Sequence, residues 1–143
     1  MPIARLNRET LQRFADSRVE EARILLQHKY WTGAYYLTGL GVECALKARL
    51  ARAVQQHDFP DKRFIDQAYT HGLGDLAKLD AEFWVQLKNE LRGDKKFASN
   101  WSTVRQWDDE KRYGVVEEAE AVSLYSATTE AVSGVLEWIR RRW

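Results

Sequence analysis

The stretch from Tyr30 to Leu50, YWTGAYYLTGLGVECALKARL, limits the possible fold more than any other part of the chain. Its residues Ala34, Leu37, Gly41, Cys44, Ala48 and Ala51 recur at alternating steps of three and four, the period of one face of an α-helix. Small side chains on that face let a second helix approach closely, from within the chain or from another copy of it. Glu43 and Lys47 lie four apart and are therefore neighbours on the helix surface. Such a pair is expected to act as a partly buried ion pair that fixes helix register, or to face a groove or dimer seam.

The flanking sequence supplies more helices. Asn7 is a plausible N-cap, and Leu11, Phe14, Ala15, Val19, Ala22, Leu25 and Leu26 keep a helical period to about Gln27. The second helix should run to about Gln56, where His57, Asp58 and Pro60 stop it, making an antiparallel hairpin with the first. Residues 58–70 read as a connection. Leu73, Leu76, Ala77 and Leu79 suggest a short third helix, and Asp80 a cap for a fourth carrying Phe83, Trp84, Leu87 and Leu91. Residues 93–114 show no sustained period. Val122, Tyr125, Thr129, Val132, Leu136, Ile139 and Trp143 predict one long final helix. With two prolines and no alternating apolar and polar run, the reading is all-α: an up-and-down bundle of four to five helices forming a single domain over residues 1–143.

Composition narrows the function classes. Lys plus Arg number 22 against 21 Asp plus Glu, so no global field draws the chain to nucleic acid or anionic membrane, and any such partner must meet a local patch. The one cysteine, Cys44, lies in the apolar face and reads as a small hydrophobe in a reducing compartment. No signal-like run and no uncharged apolar stretch of about 20 residues is present, so a cytoplasmic protein without membrane insertion is expected. The histidines and the cysteine show no metal-ligand spacing, and no glycine-rich phosphate cradle follows a strand; neither metal nor cofactor is expected.

The run Tyr36-Leu37-Thr38-Gly39-Leu40-Gly41-Val42-Glu43-Cys44-Ala45-Leu46-Lys47-Ala48, preceded by Ala22, Leu25, Leu26 and Tyr30, resembles the first helical hairpin of HEPN domains. His71-Gly72-Leu73-Gly74-Asp75-Leu76 is similar to the His-Asp-Leu or His-Leu segment that begins the next helix there, and Trp107 to Arg112-Tyr113 resembles the family's Arg-Tyr segment before the last long helix. The resemblance implies a small helical bundle that dimerises. It also implies a setting in toxin–antitoxin or phage-defence modules, often beside a minimal nucleotidyltransferase partner.

Catalytic members of that family are metal-independent ribonucleases using an arginine followed, after four to six residues, by a histidine. Arginine can stabilise charge on the phosphorane while histidine moves a proton near neutral pH. The resemblance places the arginine at Arg112, but no histidine occurs after His71. Glutamates at that spacing, Glu117 and Glu118, would repel phosphate. The same spacing occurs at Arg23 to His28 and at Arg52 to His57, a frequency that chance supplies. Of these, Arg52 and His57, at the end of the second helix, are the better alternative catalytic pair. His71 is expected to hydrogen-bond or cap the entrance to helix three, with a ligand contact as the competing role.

Lys95, Lys96, Phe97, Trp101, Arg105, Trp107, Lys111, Arg112 and Tyr113 interleave cations with aromatic rings, as single-stranded nucleic acid requires, although Asp94, Asp108, Asp109 and Glu110 interrupt them. The competing reading is a loop whose tryptophans cover the end of the bundle. Trp138, Arg140, Arg141, Arg142 and Trp143 form a second cationic and aromatic patch, which can also be read as ordinary helix C-terminal cations. Together these observations lead to the expectation of a non-catalytic HEPN-like binding protein that contacts nucleic acid, a nucleotide or a protein partner. The alternative is a ribonuclease.

Overall fold

The computed structural model describes residues 6–54 and 58–143. Among these residues every regular element is helical: α1 (Arg8–Gln27), α2 (Trp31–Ala53), α3 (Lys62–Ala68), α4 (Leu73–Lys78), α5 (Ala81–Gly93), α6 (Lys95–Arg105), a 3₁₀ turn (Asp109–Tyr113), α7 (Glu118–Thr129) and α8 (Val135–Arg140). No helix among the described residues is long and apolar enough to cross a membrane.

Asn7 starts α1 by accepting from the Thr10 amide at 2.9 Å, while its own amide donates to Thr10 Oγ1 at 3.0 Å. The chain reverses through Lys29, whose φ of 63° is left-handed, and the Tyr30 amide closes the turn on the Leu25 carbonyl at 2.9 Å. The next helix, α2, occupies the centre. Twelve of its 23 residues are buried, and they lie on every side of it, because α1, α4, α7, α8 and the 3₁₀ turn all pack against it.

Two glycines on opposite faces of α2 permit this. A Cβ on Gly41 would lie 2.6 Å from Val19 Cγ2 and 3.1 Å from the Ala15 carbonyl, so the small-residue face closes on α1 within the chain. A Cβ on Gly39 would lie 2.0 Å from Trp107 Cε2, so the other side seats that indole. The small-residue face is thus filled by α1 and gives no support to pairing between protomers.

Elsewhere the helical caps follow the sequence. Asp80 accepts from the Phe83 amide at 2.9 Å and begins α5. Buried Arg49 of α2 holds that end by pairing with Asp80 at 3.5 Å and Glu82 at 3.7 Å, its guanidinium lying over the Phe83 ring. The core is continuous, with Phe83, Phe97 and Trp138 packed ring against ring between α5, α6 and α8.

Four expectations are corrected. The described residues form eight α-helices rather than four or five. Residues 58–70 contain α3, capped by Asp61 accepting from the Arg63 amide at 2.7 Å. Residues 93–114 contain α6, capped by Asp94 and buried through Phe97, Trp101 and Val104. The long final helix is two helices. Between α7 and α8 the Glu130 carboxylate accepts from the Ser133 amide, Asn100 Nδ2 donates to the Ser133 carbonyl at 2.9 Å, and Ser133 Oγ donates to Asp94 at 3.0 Å. Side chains of α6 and the preceding cap thereby satisfy polar groups in the break. Val132, which continues the apolar period, is 80% exposed.

Candidate functional site

The first half of α2 builds a platform for residues 107–116. Thr32 Oγ1 accepts from the Val116 amide at 3.1 Å and the Tyr35 hydroxyl from the Asp108 amide at 3.0 Å, while Gly39 leaves room for Trp107. Trp107 stacks on Tyr36 with 6.3 Å between ring centroids. The Arg112 guanidinium lies 5.3 Å from the Tyr36 ring and 4.7 Å from the Tyr113 ring. It donates to the Tyr113 hydroxyl at 3.0 Å and the Tyr36 hydroxyl at 3.3 Å, and pairs with Asp109 at 3.5 Å. The Tyr113 contact, ahead of the charge of neighbouring hydroxyls, holds Arg112 more firmly protonated than usual. Beside it Lys111 pairs with Glu120, which raises the ammonium pKa, and approaches the Tyr35 ring at 5.5 Å.

This stack, with Arg112 and Tyr113 exposed over half-buried Tyr36, is the main part of the cationic and aromatic run that reaches the surface with its rings. Trp101 and Trp107 are each 5% exposed and Phe97 is 1% exposed, so these rings form core and cannot stack bases. Lys95, Lys96 and Arg105 lie exposed on α6, away from carboxylates at ion-pair distance among the described residues. In the C-terminal patch two of the three arginines are engaged by carboxylates. Arg140 pairs with Asp16 and Glu137, Arg141 with Glu137, and Arg142 lies 3.7 Å over buried Trp138.

A second cluster lies further along α2. The Glu43 side chain, 5% exposed, holds Lys47 Nζ at 3.3 Å and His71 Nδ1 at 2.6 Å. His71 therefore anchors the segment entering α4 to α2, with the Gly72 amide donating to Thr70 Oγ1 at 3.2 Å alongside. A buried carboxylate that fixes one ring nitrogen orients the imidazole and leaves Nε2 without a partner among the described residues. Tyr36 and Glu43 share a face of α2, two turns apart, which separates the Arg112 cluster from the His71 cluster by about 10 Å along the helix.

Arg52 donates to the Arg142 carbonyl at 2.8 Å and so ties α2 to the C-terminus; His57, its candidate partner, lies outside the described residues. Arg23 pairs with Glu20 at 2.6 Å, and His28 is exposed at the end of α1. Among the described residues no group of His, Cys, Asp and Glu could hold a metal ion. Sequence reasoning missed Tyr35 and Tyr36 as site residues. Their signal is a pair of tyrosines in the small-residue helix, but their meeting with residues 107–116 is long-range. Comparison with protein-family models, curated proteins and solved structures found no match.

Proposed function

We propose that this chain is a HEPN-like helical-bundle protein acting as a non-catalytic binding component of a toxin–antitoxin or phage-defence module. In this reading it forms a homodimer, engages a nucleotidyltransferase-type partner, and presents the Tyr36–Arg112–Tyr113 stack to a nucleic acid or nucleotide. The observation that carries the reading is the separation of Arg112 from histidine. The α2 residues that Arg112 and His71 contact lie seven apart, about 10 Å along the helix axis, and no contact joins the two side chains among the described residues. Arg112 is also engaged by Asp109, Tyr36 and Tyr113.

The alternative, a metal-independent ribonuclease, draws support from His71, whose ring is oriented by buried Glu43 as a general base would be. One assay separates the two. Purified protein incubated with mixed tRNA and mRNA in EDTA is expected to leave the RNA intact. Cleavage that disappears in both His71→Ala and Arg112→Ala would replace the binding reading with the ribonuclease.

A further inference from the structure

Helices α4 to α6 carry six cations, Lys78, Lys88, Arg92, Lys95, Lys96 and Arg105, and none of them meets a carboxylate at ion-pair distance among the described residues. The carboxylates of the same stretch are turned elsewhere. Asp80 and Glu82 pair with Arg49 at 3.5 and 3.7 Å, Asp94 accepts from the Phe97 amide and from Ser133 Oγ, each at 3.0 Å, and the charge of Glu90 acts on Arg142. Asp75 folds back toward Gly72, its Oδ2 lying 2.8 Å from where a Cβ on that glycine would stand. Cations left without counter-charge on one run of helices are the electrostatic footprint of a polyanion-binding face.

Asp94 is both the C-cap of α5 and the N-cap of α6, so the chain doubles back there, and a cleft of about 340 Å³ opens where the start of α5 and the end of α6 meet α4. Lys78, Trp84 and Arg105 line it, with buried Leu73 and Trp101 beneath. Trp84 is half-buried, and Lys78 Nζ and Lys88 Nζ lie 5.6 and 5.5 Å from the centroid of its ring. From Trp84 the same face of α5 continues through Lys88 and Arg92 at steps of four, a run of about 12 Å along the axis. Stacked nucleotides of one strand are spaced about 3.4 Å apart, so this run can meet more than one phosphate. The indole offers a base its face, and the flexible lysine stems let both ammonium groups move from the ring to phosphates.

We infer that the cleft between α4, α5 and α6 binds single-stranded nucleic acid, with one base entering against Trp84 and the flanking phosphates meeting Lys78, Lys88, Arg92 and Arg105. A duplex keeps its bases paired and has none to place in the cleft. The surface uses other residues than the Tyr36–Arg112–Tyr113 stack, and the inference needs neither the HEPN likeness nor the homodimer.

The test is fluorescence anisotropy of an end-labelled 12-nucleotide single-stranded RNA of mixed sequence, titrated with the full chain at several salt concentrations. Wild type is expected to bind the strand more tightly than a duplex of the same length. The double variant Lys78→Gln, Arg105→Gln changes two exposed side chains and should keep its helicity by circular dichroism. It is expected to bind about tenfold more weakly at low salt and to lose about 1.4 from the slope of log affinity against log salt, about 0.7 for each phosphate contact removed. A duplex, or polyglutamate, that displaces the labelled strand as well as unlabelled strand does would overturn the commitment to single-stranded nucleic acid. Binding unchanged in the double variant but lost in Arg112→Ala would overturn the cleft and leave the proposed function standing. No binding by wild type would overturn both the cleft and the nucleic-acid contact of that function, while its protein partner would stand.

Discussion

Gly39 is the residue on which the placement of the Arg112 segment depends. A methyl group there would lie 2.0 Å from Trp107 Cε2 and 2.1 Å from Nε1, well inside contact distance, and Trp107 is the ring on which Tyr36 stacks. Gly39→Ala is therefore expected to cost about 3 kcal/mol, the upper end for overpacking a core, read as a lower midpoint in urea denaturation. Trp107→Leu in the same background should recover part of that loss. Additive effects of the two substitutions would show that the residues do not compete for the same space. At this scale the sequence reveals the contacts made between near neighbours. Asn7 and Asp80 cap as their positions suggest, and Glu43 pairs with Lys47 one turn on. It does not reveal that Glu43 also holds His71, 28 residues away, or that Arg112 lies on Tyr36, 76 residues away, because tertiary packing creates those contacts.

At the scale of elements, the two helices that differ from expectation do so for different reasons. The signal for α6 is present: Asp94 as cap, then Phe97, Trp101 and Val104 at steps of four and three. Charged residues on its outer face and a mean pattern of only eleven residues obscure it. The break between α7 and α8 runs against a periodic signal, and Gly134 is its local mark. That glycine has ordinary dihedral angles, φ −66° and ψ 142°, but a Cβ would lie 2.2 Å from the Glu130 carbonyl oxygen and 2.8 Å from its amide nitrogen. Space is what requires glycine there, and backbone atoms cannot swing aside as a flexible side chain can. Gly134→Ala is expected to destabilise by about 3 kcal/mol. Gly74→Ala, inside α4 with nothing within 4 Å of the new methyl group, should instead stabilise by about 0.5–1 kcal/mol through helix propensity. Thermal unfolding of the two variants should move in opposite directions. Equal losses would remove the steric account of the break.

For the whole molecule, the central position of α2 couples its buried groups to global stability. Burial, with the charge of Glu43 second, pushes the Cys44 thiol up to about 11 from an ordinary value of 9.0. Burial likewise raises the Tyr35 hydroxyl, and the bond to Glu120 raises Lys111. All three changes act with one sign. Once pH passes the ordinary value of such a group, the unfolded chain releases a proton that the folded chain retains, so the folded state binds more protons and stability falls as pH rises. For Cys44 the window is about pH 9 to 11; below it both states keep the proton and the thiol gives no pH dependence. The two-unit difference corresponds to a loss on the order of 2 kcal/mol once the window has been crossed. Cys44→Ala should remove the thiol's share of this slope while leaving the contributions of Tyr35 and Lys111, which begin at higher pH. Urea unfolding of both proteins at a series of pH values through the window measures the difference, and parallel curves would mean that the thiol titrates alike folded and unfolded. The same burial keeps the thiolate scarce near neutral pH, which fits a cysteine that packs within the protein rather than attacks a substrate.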